Sequence, residues 1–123
     1  EVDVAVVGLG PNGLRALACL HRELSVVGFE RGWVGSTVRQ WHASSVTQSA
    51  LDDDFGLLVG GVGIDPYCTT PSQGRGDEDG HRSCSRDQYV RYLEDVVAAL
   101  QLPVLEQEEV SSIGWDERDA RSW

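Results

Sequence analysis

Apolar residues recur along this chain in blocks whose spacing switches from continuous to helical and back. Val2 to Val7 is dominated by valine, a β-branched residue that favours strands, and its near-continuous apolar character suits a strand covered on both faces. Glycines then break the pattern from Gly8 to Gly13. From Pro11 to about Arg22, the positions Leu14, Leu17, Ala18 and His21 fall on one face of a helix. Leu24 to Phe29 is a second apolar run, reached through a very short connection. Strand, helix and strand in this order form a βαβ unit, whose crossover makes the two strands parallel neighbours.

The middle of the chain is less regular. Gly35-Ser36-Thr37 can open a short helix, with Ser36 or Thr37 as its cap. Gly56 to Ser85 is rich in glycine and charge, with prolines at 66 and 71, and reads as one long connection with a mobile Gly-rich centre over residues 59–84. Helical order returns at Ser85, where Gln88 stands at capping-box spacing. Tyr89, Leu93, Val96, Val97 and Leu100 then make one apolar stripe. Pro103 ends that helix, and Val104-Leu105 and the run from Val110 to Trp115 are short strand candidates.

Three glycines stand at G-x-G-x-x-G spacing where the first strand meets the first helix, and each has a physical task. Gly8 allows the sharp turn, Gly10 lets backbone approach a pyrophosphate, and Gly13 lets helix pack closely on strand. The helix that opens at Pro11 and Asn12 presents the unpaired N–H groups of its first turn and a partial positive charge to phosphates. Glu30 closes the second strand 22 positions after Gly8, near the offset expected of a carboxylate that takes ribose hydroxyls. A 2′-phosphate would be repelled there, although Arg31 next to it could pair with one. The fold class is α/β: a Rossmann-like βαβ dinucleotide-binding domain with a parallel sheet.

Composition narrows the function classes. The formal charge is −10, and all ten basic residues are arginine. No cluster of positive charge suits a nucleic acid. Adaptation to a salt-rich cytoplasm and a high-GC codon bias both account for the acidity and the missing lysine. No apolar run approaches the ~18–20 residues of a membrane span. Three cysteines without C-x-x-C spacing fit a reduced, cytoplasmic setting, with Cys19 a small core residue on the first helix. No metal site is expected: His21 and His81 lack partners at ligand spacing, and Asp52, Asp53 and Asp54 do not alternate as a calcium loop does. His42, after Trp41, reads as a surface histidine rather than a catalytic group, and no catalytic residue is assigned.

The stretches Val6 to Leu14, Phe29-Glu30-Arg31 and Gly35-Ser36-Thr37-Val38-Arg39-Gln40-Trp41 together resemble the opening of FAD-dependent monooxygenases. The flavin-containing monooxygenase-like group of the two-dinucleotide-binding-domain flavoproteins is the nearest pattern, with G-x-G-P-x-G, an E-[RK] pair and G-G-T-W. This chain departs from the last element at Ser36 and Val38. Ser85 to Glu94 also resembles the family, as does Leu102 to Ile113 more loosely. The resemblance implies that the backbone at Val110 lies against adenine, and that Gly8, Gly10, Pro11, Asn12, Gly13, Glu30, Arg31, Gly35, Ser36 and Thr37 line an FAD site. It covers nearly all of this chain but only the N-terminal part of such an enzyme.

The expectation is therefore a single domain, residues 1–123, that is truncated at its C-terminus. It would be the FAD-binding portion of a flavoprotein oxidoreductase, a monooxygenase with NAD(P)H as electron donor and a small organic substrate. In such enzymes the flavin carries the redox chemistry and the protein orients it, so a missing nucleophile is no objection. Cys68 and Cys84 do not reproduce the redox-active pair of flavoprotein disulfide reductases, which disfavours that branch. An NAD-binding dehydrogenase and a non-catalytic nucleotide-binding module use the same glycine turn and remain the alternatives. The chain alone is expected to bind FAD weakly and to turn over nothing.

Overall fold

In the computed structural model, residues 1–43, 45, 63, 64, 66–71 and 82–116 are described. Strand β1 (Val4–Val7) leads through the glycine turn into helix α1 (Pro11–Leu20), which returns to strand β2 (Val26–Glu30). The short helix α2 (Ser36–Arg39) follows. Strands β3 (Thr70–Pro71) and β4 (Arg82–Ser83) come next, then helix α3 (Arg86–Leu100) and strand β5 (Val104–Glu106).

The first three elements close the expected βαβ unit. Strands β1 and β2 pair in parallel with Val4 opposite Val26 and Val7 opposite Phe29. Beyond the ladder, the Gly8 N–H donates to the Phe29 carbonyl at 2.8 Å, so the sheet holds the chain up to the point where it turns. β5 lies parallel on the other side of β2, giving the order β1-β2-β5. The second half of the chain thus returns its strand beside Glu30.

One face of this sheet carries the core. Leu9, Leu14, Leu17 and Ala18 from the glycine turn and α1 pack with Val26, and with Tyr89, Tyr92, Leu93 and Val96 of α3. Gly28 makes room for this packing: a Cβ there would stand 2.9 Å from side-chain carbons of both Leu9 and Leu17. The other face differs from the expectation for β1. Its residues alternate between half-buried and exposed, and Val7 and Leu105 are 56% and 46% exposed. Only one layer of helix covers the sheet among the described residues.

Helix α3 begins as its sequence predicts. The Gln88 N–H donates to Ser85 Oγ at 3.3 Å, and the Ser85 N–H donates to Gln88 Oε1 at 2.9 Å. Gln88 also donates from Nε2 to Thr69 Oγ1 at 2.7 Å and accepts from the Thr70 hydroxyl at 3.1 Å. One side chain therefore caps the helix and holds the strap that enters β3. The Tyr67 hydroxyl donates to Asp95 Oδ2 at 2.6 Å, and its ring meets Tyr92 edge-on at 5.2 Å.

Several expectations are corrected. Cys19 is exposed, not core: five positions past Leu14 on a helix it points to the solvent side of the α1 stripe. Cys68 and Cys84 form a disulfide with Cα atoms 4.1 Å apart, because the antiparallel pairing of β3 with β4 brings their flanks together. That pairing lies within the stretch read as one long connection. Most of the Gly-rich centre, Asp52 to Asp54, and His81 fall outside the described residues. Val110 to Trp115 forms no strand. Gln107, at φ +56°, turns the chain away from the sheet, and Ile113 and Trp115 are more than four-fifths exposed.

Candidate dinucleotide site

The glycine turn is shaped by one contact that forbids any side chain. A Cβ on Gly13 would lie 1.9 Å from the Gly8 carbonyl oxygen, so α1 rests on the end of β1 with no room for a methyl group. Gly8 has φ +88°, a left-handed conformation that glycine adopts without penalty. At Gly10 and Gly8 a Cβ would meet nothing within 4 Å. That open space stands directly before the helix. Gly10 is the N-cap, Pro11 opens the helix, and no side chain caps the first turn. The helix start therefore presents its backbone donors and partial positive charge to whatever enters.

Glu30 links the turn to the second strand. Its Oε1 accepts from the Leu9 N–H at 3.0 Å, and its Oε2 accepts from the Gly32 N–H at 2.7 Å. A carboxylate oxygen can accept more than one hydrogen bond, so both oxygens keep capacity for hydroxyl donors. Arg31 beside it is exposed.

These residues border a cleft of about 370 Å³ lined by Gly8, Gly10, Glu30, Arg31, Thr37 and Val110 among others. Val7, Phe29, Glu108 and Glu109 complete the wall, and sequence reasoning assigned none of them to it. The alternation of β2 was a usable signal for Phe29, whereas the acidic run after β5 looked like ordinary surface. A larger cavity of about 630 Å³ opens between Arg39 of α2 and the charged face of α3, away from the glycine turn. It gathers none of the residues assigned to the cofactor.

The remaining assigned residues do not line the cleft. Pro11 and Asn12 form the first positions of α1, and Gly13 packs on β1. Gly35, not Ser36 or Thr37, is the N-cap of α2, with φ +78°, and a Cβ there would sit in ordinary contact with Val90 and Leu93. Ser36 instead locks the preceding turn: its Oγ accepts from the Trp33 N–H at 2.7 Å and donates to the Trp33 carbonyl. Helix α2 is tied to α3 by the Arg39–Glu94 ion pair, and its outgoing chain by Arg86, which donates to the Trp41 carbonyl at 3.1 Å. His42 is exposed and does not line the cleft. Among the described residues, no cluster of His, Cys, Asp and Glu is suited to a metal, and no helix is long and apolar enough to cross a membrane.

The open space at Gly8 and Gly10, the uncapped helix start and the carboxylate facing the turn fit the diphosphate and ribose of a dinucleotide such as FAD. No family model and no curated protein matches the sequence. Solved structures do. A bacillithiol disulfide reductase from Bacillus cereus superposes with a TM-score of 0.69 at 20% identity, covering 92% of this chain and 30% of its own. OTEMO, in a complex with FAD and NADP, gives 0.67 at 19% identity, covering 97% of this chain and 21% of its own. A flavin-containing monooxygenase from Stenotrophomonas maltophilia gives 0.63 at 26% identity, covering 92% and 31%. The chain spans less than a third of each of these proteins. It has the fold of the N-terminal part of the two-dinucleotide-binding flavoproteins.

Proposed function

We propose that this chain is the FAD-binding portion of an NAD(P)H-dependent flavoprotein oxidoreductase, a monooxygenase acting on a small organic substrate. The observation that carries the reading is Glu30, whose carboxylate reaches the Leu9 N–H at 3.0 Å and so stands over the glycine turn. In this reading the open ground at Gly8 and Gly10 takes the pyrophosphate. The start of α1, from Pro11 and Asn12, stabilises its charge. Glu30 accepts from the ribose hydroxyls and disfavours a 2′-phosphate, the Val110 backbone lies against adenine, and Arg31 and Thr37 border the bound cofactor. Gly13, Gly35 and Ser36 hold the walls in place. Bound FAD would supply hydride acceptance and oxygen activation.

The monooxygenase assignment draws on the resemblance of the three motif segments. A second reading, a flavoprotein reductase of a small disulfide, draws on the likeness to the bacillithiol disulfide reductase. The pairing of two of the three cysteines also removes the premise on which a reduced, cytoplasmic setting was expected.

Titrating the chain with FAD and with NAD side by side tests the cofactor. Tighter binding of FAD is expected, and tighter NAD binding would replace the proposal with a dehydrogenase or nucleotide-binding module. Oxygen consumption against disulfide reduction by the full-length protein separates the two flavoprotein readings.

A further inference from the structure

We propose that Glu106, at the end of β5, is a positioning residue for the cofactor cleft, an inference that rests on the dinucleotide reading of that cleft. It stands opposite Glu30 in the β2–β5 register. Two carboxylates side by side on neighbouring strands repel one another unless each finds donors. Glu30 takes the Leu9 and Gly32 N–H groups. Glu106 takes a third: its Oε2 accepts from the Val34 N–H at 3.2 Å, across 72 positions of sequence.

That bond completes the fastening of the turn 32–34. The Gly32 N–H goes to Glu30, the Trp33 N–H to Ser36 Oγ and the Val34 N–H to Glu106. The Gly32 carbonyl accepts from the Gln107 N–H at 2.9 Å. Val34 is only 3% exposed, so its N–H has little access to water in this conformation. A buried N–H left without an acceptor drives the backbone to move until it finds one. Here such movement would be felt on both sides of the turn. Arg31 precedes it, and Gly35 follows as the cap from which α2 carries Thr37 to the cleft. Glu106 itself does not line the cleft, so it acts through the turn and not through contact with ligand.

The test compares Glu106→Ala, Glu106→Gln and the unaltered chain by FAD titration, thermal melting and amide hydrogen exchange at Val34 and at Arg39, whose N–H donates to the Gly35 carbonyl at 2.8 Å. Alanine is expected to weaken FAD five- to tenfold and to speed exchange at both amides. Glutamine, which keeps an accepting oxygen at the same reach, should stay within twofold of the unaltered chain. Faster exchange at Val34 with unchanged FAD affinity would reduce Glu106 to a structural brace and overturn the proposal, as would glutamine behaving like alanine. Glu106→Asp, one methylene too short for Val34, replaces alanine if that variant does not fold. If the unaltered chain binds no FAD, the reading of the cleft falls. The exchange data then decide the positioning claim separately: Arg39 protection lost with Val34 supports it, and Arg39 protection kept overturns it.

Discussion

The Leu9 N–H donates to Glu30 Oε1 at 3.0 Å, joining the turn that ends β1 to the carboxylate that ends β2. The bond fixes the carboxylate before any ligand arrives, which reduces the ordering cost of binding. Hydrogen bonds to a charged group contribute about 1.5–3 kcal/mol each. Glu30→Ala is therefore expected to weaken FAD by about ten- to a hundredfold, read by flavin fluorescence, with Glu30→Gln between the two. An alanine variant that binds FAD as well as the unaltered chain would remove Glu30 from the site.

Two glycines of the same motif should fail in opposite ways. A methyl group on Gly13 would fall 1.9 Å from a backbone carbonyl that cannot move without breaking the turn. Gly13→Ala is expected to lower the melting temperature sharply or to prevent folding. At Gly10, with φ −71°, an alanine is accepted by the backbone and meets nothing within 4 Å. Gly10→Ala should melt within about 0.5 kcal/mol of the unaltered chain and yet lose FAD, because the methyl group occupies the ground left for the pyrophosphate. Equal losses of stability in both variants would contradict the geometry.

The glycine turn, Glu30 and the Ser85–Gln88 capping box were legible in the sequence because each is a local pattern whose spacing states its geometry. So was the parallel βαβ pairing, since a helix of that length leaves few other returns. Features made by distant segments were not legible. The Cys68–Cys84 bond depends on a β3–β4 pairing only two residues long, too short for any periodicity to announce. Glu106 sits in an acidic run, and only the register of β5 against β2 separates it from Glu108 and Glu109. Val110 to Trp115 misled for the opposite reason: its composition suits a strand, but Gln107 turns it off the sheet edge.

Gly28 was likewise hidden, because a glycine inside a strand usually signals weakness. Here its missing side chain is filled by Leu9 and Leu17, whose methyl carbons would stand 2.9 Å from an added Cβ. Overpacking of this kind costs about 1–3 kcal/mol. Gly28→Ala should lower stability by that amount in a denaturant titration, and combining it with Leu9→Ala should cost less than the sum of the two single changes. Strict additivity of the two changes would show that they do not share this space.

Tyr67 gives the chain an alkaline limit. Its pKa is raised above 10.0, first by its hydrogen bond to Asp95, then by burial and by the charge of Asp95, with Arg91 opposing. A group whose pKa is higher folded than unfolded contributes its stability below the unfolded value and loses it as pH rises through the folded one. The contribution should therefore be complete below about pH 10 and decline above it. Tyr67→Phe is expected to be less stable at neutral pH and to have a flatter stability profile above pH 10. A parallel alkaline profile in the two proteins would locate the titrating group elsewhere.

The Cys68–Cys84 disulfide makes a separate, measurable contribution to stability. Cys68 and Cys84 are 16 positions apart, and closing a ring of about that size contributes roughly 3 kcal/mol by restricting the unfolded chain. Both cysteines are buried beside the start of α3, where Gln88 already ties Thr69 and Thr70 to the helix. Reduction should therefore loosen the strap at residues 67–70 before it disturbs the βαβ unit. Melting with and without reductant is expected to differ by on the order of 10 °C, and Cys68→Ser with Cys84→Ser should reproduce the reduced curve. Alkylation of the folded, oxidised protein should label Cys19 alone, since it is the exposed free thiol. Labelling of all three without reductant would mean that the bond does not form. An unchanged melting point after reduction would mean instead that the Gln88 and Tyr67 hydrogen bonds hold the strap unaided.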